Sequence, residues 1–474
     1  MMYVLILILA IGYVALAWKR LEMAILVLAV LLPTYLLRFN IGIPLTFLEV
    51  MILIVFVVWF LKNKLFLVEQ WKTLLKGRLS SSTIKYPFRY AMIAWLIVSF
   101  IAVGIGGWSN AAFGIWRAYF FEPLLLFIVV INVFNNKEKI VKLISALGIS
   151  AIGVSVFALY QYVTGQFIPN EFWAQSEGRR ATSFFPYPNA VGLYVGPIIL
   201  MLIGQVKYVW KSGLSFLEAK WSYVISVLGI VLGIGAIVAA KSEGAAFGLA
   251  ITILIFGLVA SRKTRVVTIG IILIACFSLA LNQSARHYVV DRLSLHNFSG
   301  QVRRLQWKET LMMLKEGRLI SGAGLAHYKT AVAPFHQEGI FVRDYRDPDF
   351  QRKVVFNDDF RKSVWQPLEI YLYPHNVILN FWSELGLAGV LVFLWLVVSF
   401  FIYGVSAYWK ARKNNDPFAY LILGLTLSLA ISLIHGIVDV PYFKNDLAAL
   451  FWLSMAMMGV VSLANESVKI KSTS

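Results

Sequence analysis

Three groups of residues in this sequence have types and spacings suited to chemistry. The first is Tyr373-Pro374-His375-Asn376, followed by Val377 to Gly389, where a long polar segment runs into an apolar one. Imidazole is the side chain best matched to proton transfer near neutral pH. The spacing predicts that His375, Leu379 and Trp382 share one helical face, with Asn376 and Glu384 as polar companions. A histidine capping a helix start fits the same setting. The second group is two arginine pairs, Arg179-Arg180 ahead of Pro186-Tyr187-Pro188-Asn189, and Arg303-Arg304 ahead of Gln306-Trp307. A guanidinium offers a planar fork that binds phosphate oxygens in pairs. Headgroup anchoring explains the first pair equally well, and a basic amphipathic helix over Trp307–Leu314 explains the second. The Gly322-Ala323-Gly324 turn that follows is too common a pattern to mark a phosphate site. The third group is His435-Gly436-Ile437-Val438-Asp439-Val440-Pro441-Tyr442. An aspartate at lipid depth is costly and is a functional candidate for that reason; a histidine or an arginine could partner it.

Other charges have plainer readings. Arg117 and Glu122, on one run, either pair with each other or line a polar cavity, and Glu49 lies roughly one to two turns in from the outer end of its own run; charges at that depth rarely face lipid. Lys241 and Glu243 read as a local ion pair. Asp344, Asp347, Asp349, Asp358 and Asp359 could ligate a divalent cation. Arg343, Arg346 and Arg352 alternate with them and would neutralise such a site, so the stretch reads as a solvated loop and no metal is expected.

The elements that must hold these residues are membrane helices. Of the 474 residues 59% are hydrophobic and 14% charged, and a water-soluble core has no room for that much apolar surface, whereas lipid solvates it. Apolar runs near the ~20 residues that cross a bilayer fall at roughly 2–18, 21–37, 44–62, 88–106, 112–134, 138–163, 188–206, 221–240, 243–260, 264–282, 386–407, 417–438 and 443–463. The expected fold is therefore an all-α polytopic membrane protein of about 12–13 spans. Residues 1–282 form an N-terminal bundle, 283–374 one long loop and 375–474 the C-terminal spans, all within a single membrane domain. The first run has no basic leader and no clear cleavage site, and reads as a span rather than a signal peptide. The lone Cys276 excludes an intrachain disulfide framework.

Basic residues fix the orientation. Alternate connections carry 23 Lys and Arg, while the opposite short loops carry five: Arg38, Arg179, Arg180, Lys241 and Lys444. Positive charge is retained on the cytoplasmic side, and long loops do not count in this comparison. All three chemical groups are thus expected on the outer face. The same rule accounts for the net charge of +19 without nucleic acid.

His-Asn, nine residues, then Gly-x-x-Gly at the start of a membrane helix resembles the signature of the O-antigen ligase family. Its superfamily also holds O-antigen polymerases of the Wzy type and bacterial protein O-oligosaccharyltransferases. The resemblance extends over about residues 90–460, through Arg180 with Pro188-Asn189 and Gly192, Arg303-x-x-x-Trp307, Gly322-x-Gly324 before Tyr328, and His435 to Tyr442. It implies a C-type glycosyltransferase fold in the bacterial inner membrane, with the site facing the periplasm or cell exterior. The implied donor is a glycan on undecaprenyl diphosphate, and the implied acceptor is lipid A–core, another glycan or a protein. In such a site arginines grip the diphosphate and the motif histidine is the base, inversion needs no metal, and no cofactor takes part. On this reading Arg179, Arg180, Arg303, Arg304, Arg117 and Lys241 are donor-binding candidates, His375 is catalytic, and Asn376, Glu384, His435, Asp439, Tyr442 and Trp307 support them. Two departures stand out. Family ligases often carry a Ser-Arg-Gly-like turn where this chain reads Lys241-Ser242-Glu243-Gly244, and they usually have twelve spans. A polymerase shares the same motifs. A transporter or flippase of lipid-linked glycans, its passage lined by Arg117, Glu122 and Asp439, is the rival of another class, but transporters tend to show repeated halves and none is visible. A structural scaffold for an envelope polysaccharide complex is a further alternative.

Overall fold

In hydrocarbon every backbone N–H must find its acceptor inside the protein, so apolar runs become helices, and here they do. The computed structural model describes residues 2–75, 86–176, 178–213, 216–296, 298–337, 340–341, 347–350, 353, 357–366 and 373–472. Among these, nine helices are long and apolar enough to cross a bilayer. In chain order the main helices are α1 (Met2–Lys19), α2 (Leu21–Val30), α3 (Phe47–Leu75), α4 (Arg89–Ile105) and α5 (Asn110–Val133). Next come α6 (Lys137–Thr164), α7 (Asn189–Ser212), α8 (Phe216–Ala240), α9 (Glu243–Ala260) and α10 (Arg262–Leu281). The long segment supplies α11 (Gln283–Leu293) and α12 (Phe298–Met313), and the chain ends with α13 (Val377–Lys413), α14 (Phe418–Gly436) and α15 (Asn445–Ser472).

Side-chain caps set several starts. Asn136, Ser261, Asn282 and Asn376 each accept a main-chain N–H from the first turn of α6, α10, α11 and α13. The second expected span, 21–37, is corrected. Helix α2 has 10 residues, about 15 Å at ~1.5 Å per residue, which is half a bilayer core. Pro33 in the 3₁₀ turn Leu32–Leu36 ends the regular helix, and a hairpin pairing Arg38–Asn40 with Pro44–Thr46 leads into α3.

Helices α7, α14 and α15 form the interior, while α10 is almost wholly uncovered by protein and has its apolar side chains to lipid. Where α7 crosses α14, Gly204 faces Gly424. A Cβ on Gly204 would lie 2.7 Å from Tyr420 O, and one on Gly424 would lie 2.5 Å from Leu200 O. The backbones touch because neither residue has a side chain, a common device for packing helices in lipid.

Helix α13 is broken where the site needs it. Gly386 has φ +73° and ψ −173°, a conformation essentially confined to glycine. The expected span beginning at 386 therefore starts at this break, and a short helix, Val377–Leu385, precedes it. The polar groups freed by the break are met by the long segment. Leu387 N donates to Ile320 O (2.9 Å), Ala323 N donates to Ser383 O (2.6 Å), and Leu325 N donates to Ala102 O at the end of α4 (3.0 Å). The Gly322-Ala323-Gly324 turn is a plug against a broken helix.

Candidate active site

The turn after α14, residues 437–444, is the point on which the other segments converge. Asp439 is buried; its Oδ1 accepts from Val440 N (2.8 Å) and its Oδ2 from Asn189 Nδ2 (3.2 Å). Asn189, the first residue of α7, also accepts from Arg180 Nη2 at 2.9 Å. Arg180 is fixed further by Ala240 O (to Nε, 3.0 Å) and Lys241 O (to Nη2, 3.2 Å), where α8 ends. From the long segment Arg303 donates through Nε to Val438 O (2.7 Å) and through Nη1 to Ser299 Oγ (2.7 Å). Asn376 Nδ2 donates to Ile437 O at 2.9 Å. One turn thus ties together α7, α12 and the start of α13, with the α8–α9 junction joined through Arg180.

His375 precedes Asn376, the residue that bonds the Ile437 carbonyl. It is not on the helix: its φ is +47°, in the left-handed region that non-glycine residues seldom occupy, and α13 begins only at Val377. The expected shared face with Leu379 and Trp382 therefore does not form, because the cap Asn376 turns the chain ahead of the helix. His375 Nδ1 lies 3.1 Å from Oε1 of the buried Gln306, and its ring is 4.8 Å from that of Tyr373. Burial lowers the imidazole pKa below its usual range. Asp439 opposes that shift, Arg303 adds to it, and a hydrogen bond with the Tyr373 main chain opposes it. Arg180 is likewise lowered by burial, with Glu243 opposing and Arg303 adding. That Arg303 acts on both residues places the two guanidinium groups and the imidazole in one electrostatic neighbourhood.

Gln306 is the residue that sequence reading missed. It lies three positions after Arg303 on α12, so the two share a face. The Arg303-x-x-x-Trp307 spacing carried the signal, since it put Gln306 one turn from the arginine. Trp307 is half-buried, and its indole N–H has no hydrogen-bond partner among the described residues.

Several candidates lie elsewhere. Arg179 donates to Ala174 O, Tyr162 O and Val163 O (3.0–3.2 Å), closing the end of α6. Arg304, next round the helix from Arg303, is exposed. Arg117 lies between Glu49 and Glu122 at 3.2 Å each and also donates to Pro44 O (2.6 Å), so it binds helices together. Lys241 is exposed and contributes its carbonyl. Glu243 pairs with Arg292 of α11 rather than with Lys241, because Lys241 has a left-handed φ of +48° just before α9 begins. Glu384 is buried and accepts from Ala326 N (3.0 Å), securing the plug. His435 is buried near Asp439. Tyr442 donates to Tyr119 O (2.6 Å) and accepts from Trp452 Nε1 (3.1 Å), anchoring the turn in the core. Of the aspartate stretch, Asp344 lies outside the described residues, and Asp347 pairs with Lys353 at 2.7 Å.

Residues 228–394 match the family model described as O-antigen ligase. The O-antigen ligase match spans the second half of α8, the long segment and the broken start of α13, and so includes Lys241, Arg303, Gln306 and His375. Arg180, Asn189 and Asp439 lie outside it and join the site only through tertiary contact. No curated protein matches the chain.

Proposed function

We propose that this protein is a glycosyltransferase that moves a preassembled glycan from an undecaprenyl diphosphate carrier to an acceptor hydroxyl at the outer face of the bacterial inner membrane. The observation that carries the proposal is the convergence of Arg180, Arg303 and His375 on the 437–439 turn. With Nδ1 donating to Gln306, the imidazole holds its lone pair on Nε2. The acceptor hydroxyl gives its proton to that nitrogen as its oxygen bonds to the anomeric carbon of the glycan. The bond from that carbon to the diphosphate breaks, and the diphosphate leaves with the electron pair. Guanidinium groups in a partly dehydrated site stabilise the charge that develops on it, so the reaction as proposed requires no divalent cation. Asp439 positions Arg180 through Asn189 and favours the imidazolium formed during transfer. The charge asymmetry of the short loops supports an outward-facing orientation for this end of the bundle, where flipped lipid-linked glycans are presented. A carrier with a polyprenyl tail also suits a site built between lipid-facing helices.

The test is to incubate purified protein with a lipid-linked glycan and with lipid A–core, glycan or protein acceptors. A single shifted band identifies a ligase, and a ladder identifies a polymerase. His375→Ala is expected to lose the general-base contribution of about 10²- to 10⁴-fold while retaining normal expression. Full activity in that variant, or translocation in proteoliposomes without any covalent product, would overturn the reading.

A further inference from the structure

Lys444 takes no part in the cluster described above, yet its Nζ is buried and makes no hydrogen bond. It lies 3.7 Å from the centroid of the Tyr187 ring. Among the described residues no carboxylate forms an ion pair with it. Asp446, two residues on, acts on Lys444 electrostatically without an ion-pair contact, and its own Oδ1 is buried without a hydrogen bond. A buried ammonium with three unused donors is costly.

The surroundings connect Lys444 to the proposed base. Tyr187 and Tyr373 touch through their hydroxyls at 3.3 Å, and the Tyr373 ring lies 4.8 Å from that of His375. Both tyrosines are half-buried, whereas the ammonium is covered. Three short segments each take part in both sets of contacts. Residues 187–189 put Asn189 with Arg180 and Tyr187 with Lys444. Residues 373–376 put Asn376 on the Ile437 carbonyl and Tyr373 beside Tyr187. Residues 437–444 put Asp439 with Asn189 and Lys444 over Tyr187. Tyr373 is therefore the link between the imidazole and the Tyr187–Lys444 contact, while Asp439 and Arg303 act on the imidazole electrostatically.

We infer that the Tyr373–Tyr187–Lys444 strip is the acceptor subsite and that it takes a sugar bearing an acidic group. Tyrosine rings cover the C–H face of a pyranose, the ammonium meets the carboxylate or phosphate, and Asp446 Oδ1 is an acceptor for a hydroxyl. This rests on the transferase reading above, but its test needs no transfer. Binding of methyl glucuronide and of its neutral counterpart, methyl glucoside, is measured on the full-length protein in detergent by saturation-transfer NMR and calorimetry. The wild type is expected to bind the glucuronide at least about tenfold more tightly, the equivalent of ~1.4 kcal/mol. Lys444→Met should erase that preference and leave undecaprenyl diphosphate binding unchanged. Equal wild-type affinity for the two glycosides overturns the proposal, whatever the variant does. So does a preference that survives Lys444→Met, or pyrophosphate displacing the glucuronide, which would put both anions on the arginines. If the glycosides fail this test while His375→Ala still abolishes transfer, the acceptor assignment falls and the transferase reading stands.

Discussion

Removing the Gln306 hydrogen bond from His375 tests the proposed base through a residue that does not itself touch the reacting atoms. In Gln306→Leu the Nδ1–H loses this acceptor, and the tautomer with a lone pair on Nε2 is less favoured. The bond is 3.1 Å long and its acceptor is buried. A net contribution of about 0.5–1.5 kcal/mol corresponds to roughly a two- to twelvefold loss in kcat. KM should hold, because the arginines and their carbonyl partners are untouched. The assay is transfer of a fluorescently labelled lipid-linked glycan by purified protein, run as a double-mutant cycle with His375→Ala. Once the imidazole is gone Gln306 has nothing to position, so Gln306→Leu should cost nothing further in that background. Gln306→Glu gives an independent readout. A carboxylate beside the ring favours the imidazolium and raises its pKa, so the acidic limb of the kcat profile should move to higher pH. An equal loss from Gln306→Leu with and without His375, together with an unmoved limb in Gln306→Glu, would refute the positioning role.

Three further outcomes follow from the same geometry. Burial lowers the imidazole pKa, so the neutral base persists below the usual histidine range. kcat/KM should therefore hold through pH 6.5, the ordinary histidine value, and decline only as the pH falls through the lowered one. A decline centred at or above 6.5 would contradict this. Arg180→Lys keeps the charge but cannot bond Ala240 O, Asn189 and Lys241 O at once. Hydrogen bonds from a charged donor contribute about 1.5–3 kcal/mol, so kcat/KM should fall roughly 10- to 150-fold, while Arg179→Lys should act mainly on thermal stability. Gly386→Ala puts a Cβ 2.2 Å from Ile320 O at a φ of +73°. That conformation alone costs about 1–3 kcal/mol, so the melting temperature in detergent should drop measurably, and an unchanged value would remove the glycine's conformational role.

Composition and hydropathy determined that this chain is a bundle of membrane helices, because a lipid solvent permits an apolar run little else. Charge placement likewise marked one end of that bundle for the chemistry, and the His375 and Arg303 motifs stood out locally. Tertiary structure alone decided which charges meet. Arg179 and Arg180 are neighbours of identical type, yet one closes α6 and the other reaches Asn189, a distinction made by which carbonyls the fold brings near. A pairing of Arg117 with Glu122 was legible along one helix, but only the fold brings Glu49 of α3 beside it. Gln306 and Lys444 gained significance only from residues 69 positions away in one case and more than 200 in the other. Periodicity reports which face of a helix is apolar; it holds no information about which neighbouring helix will cover that face. Pairings between distant segments depend on that choice, and they are what turn separate polar residues into a site.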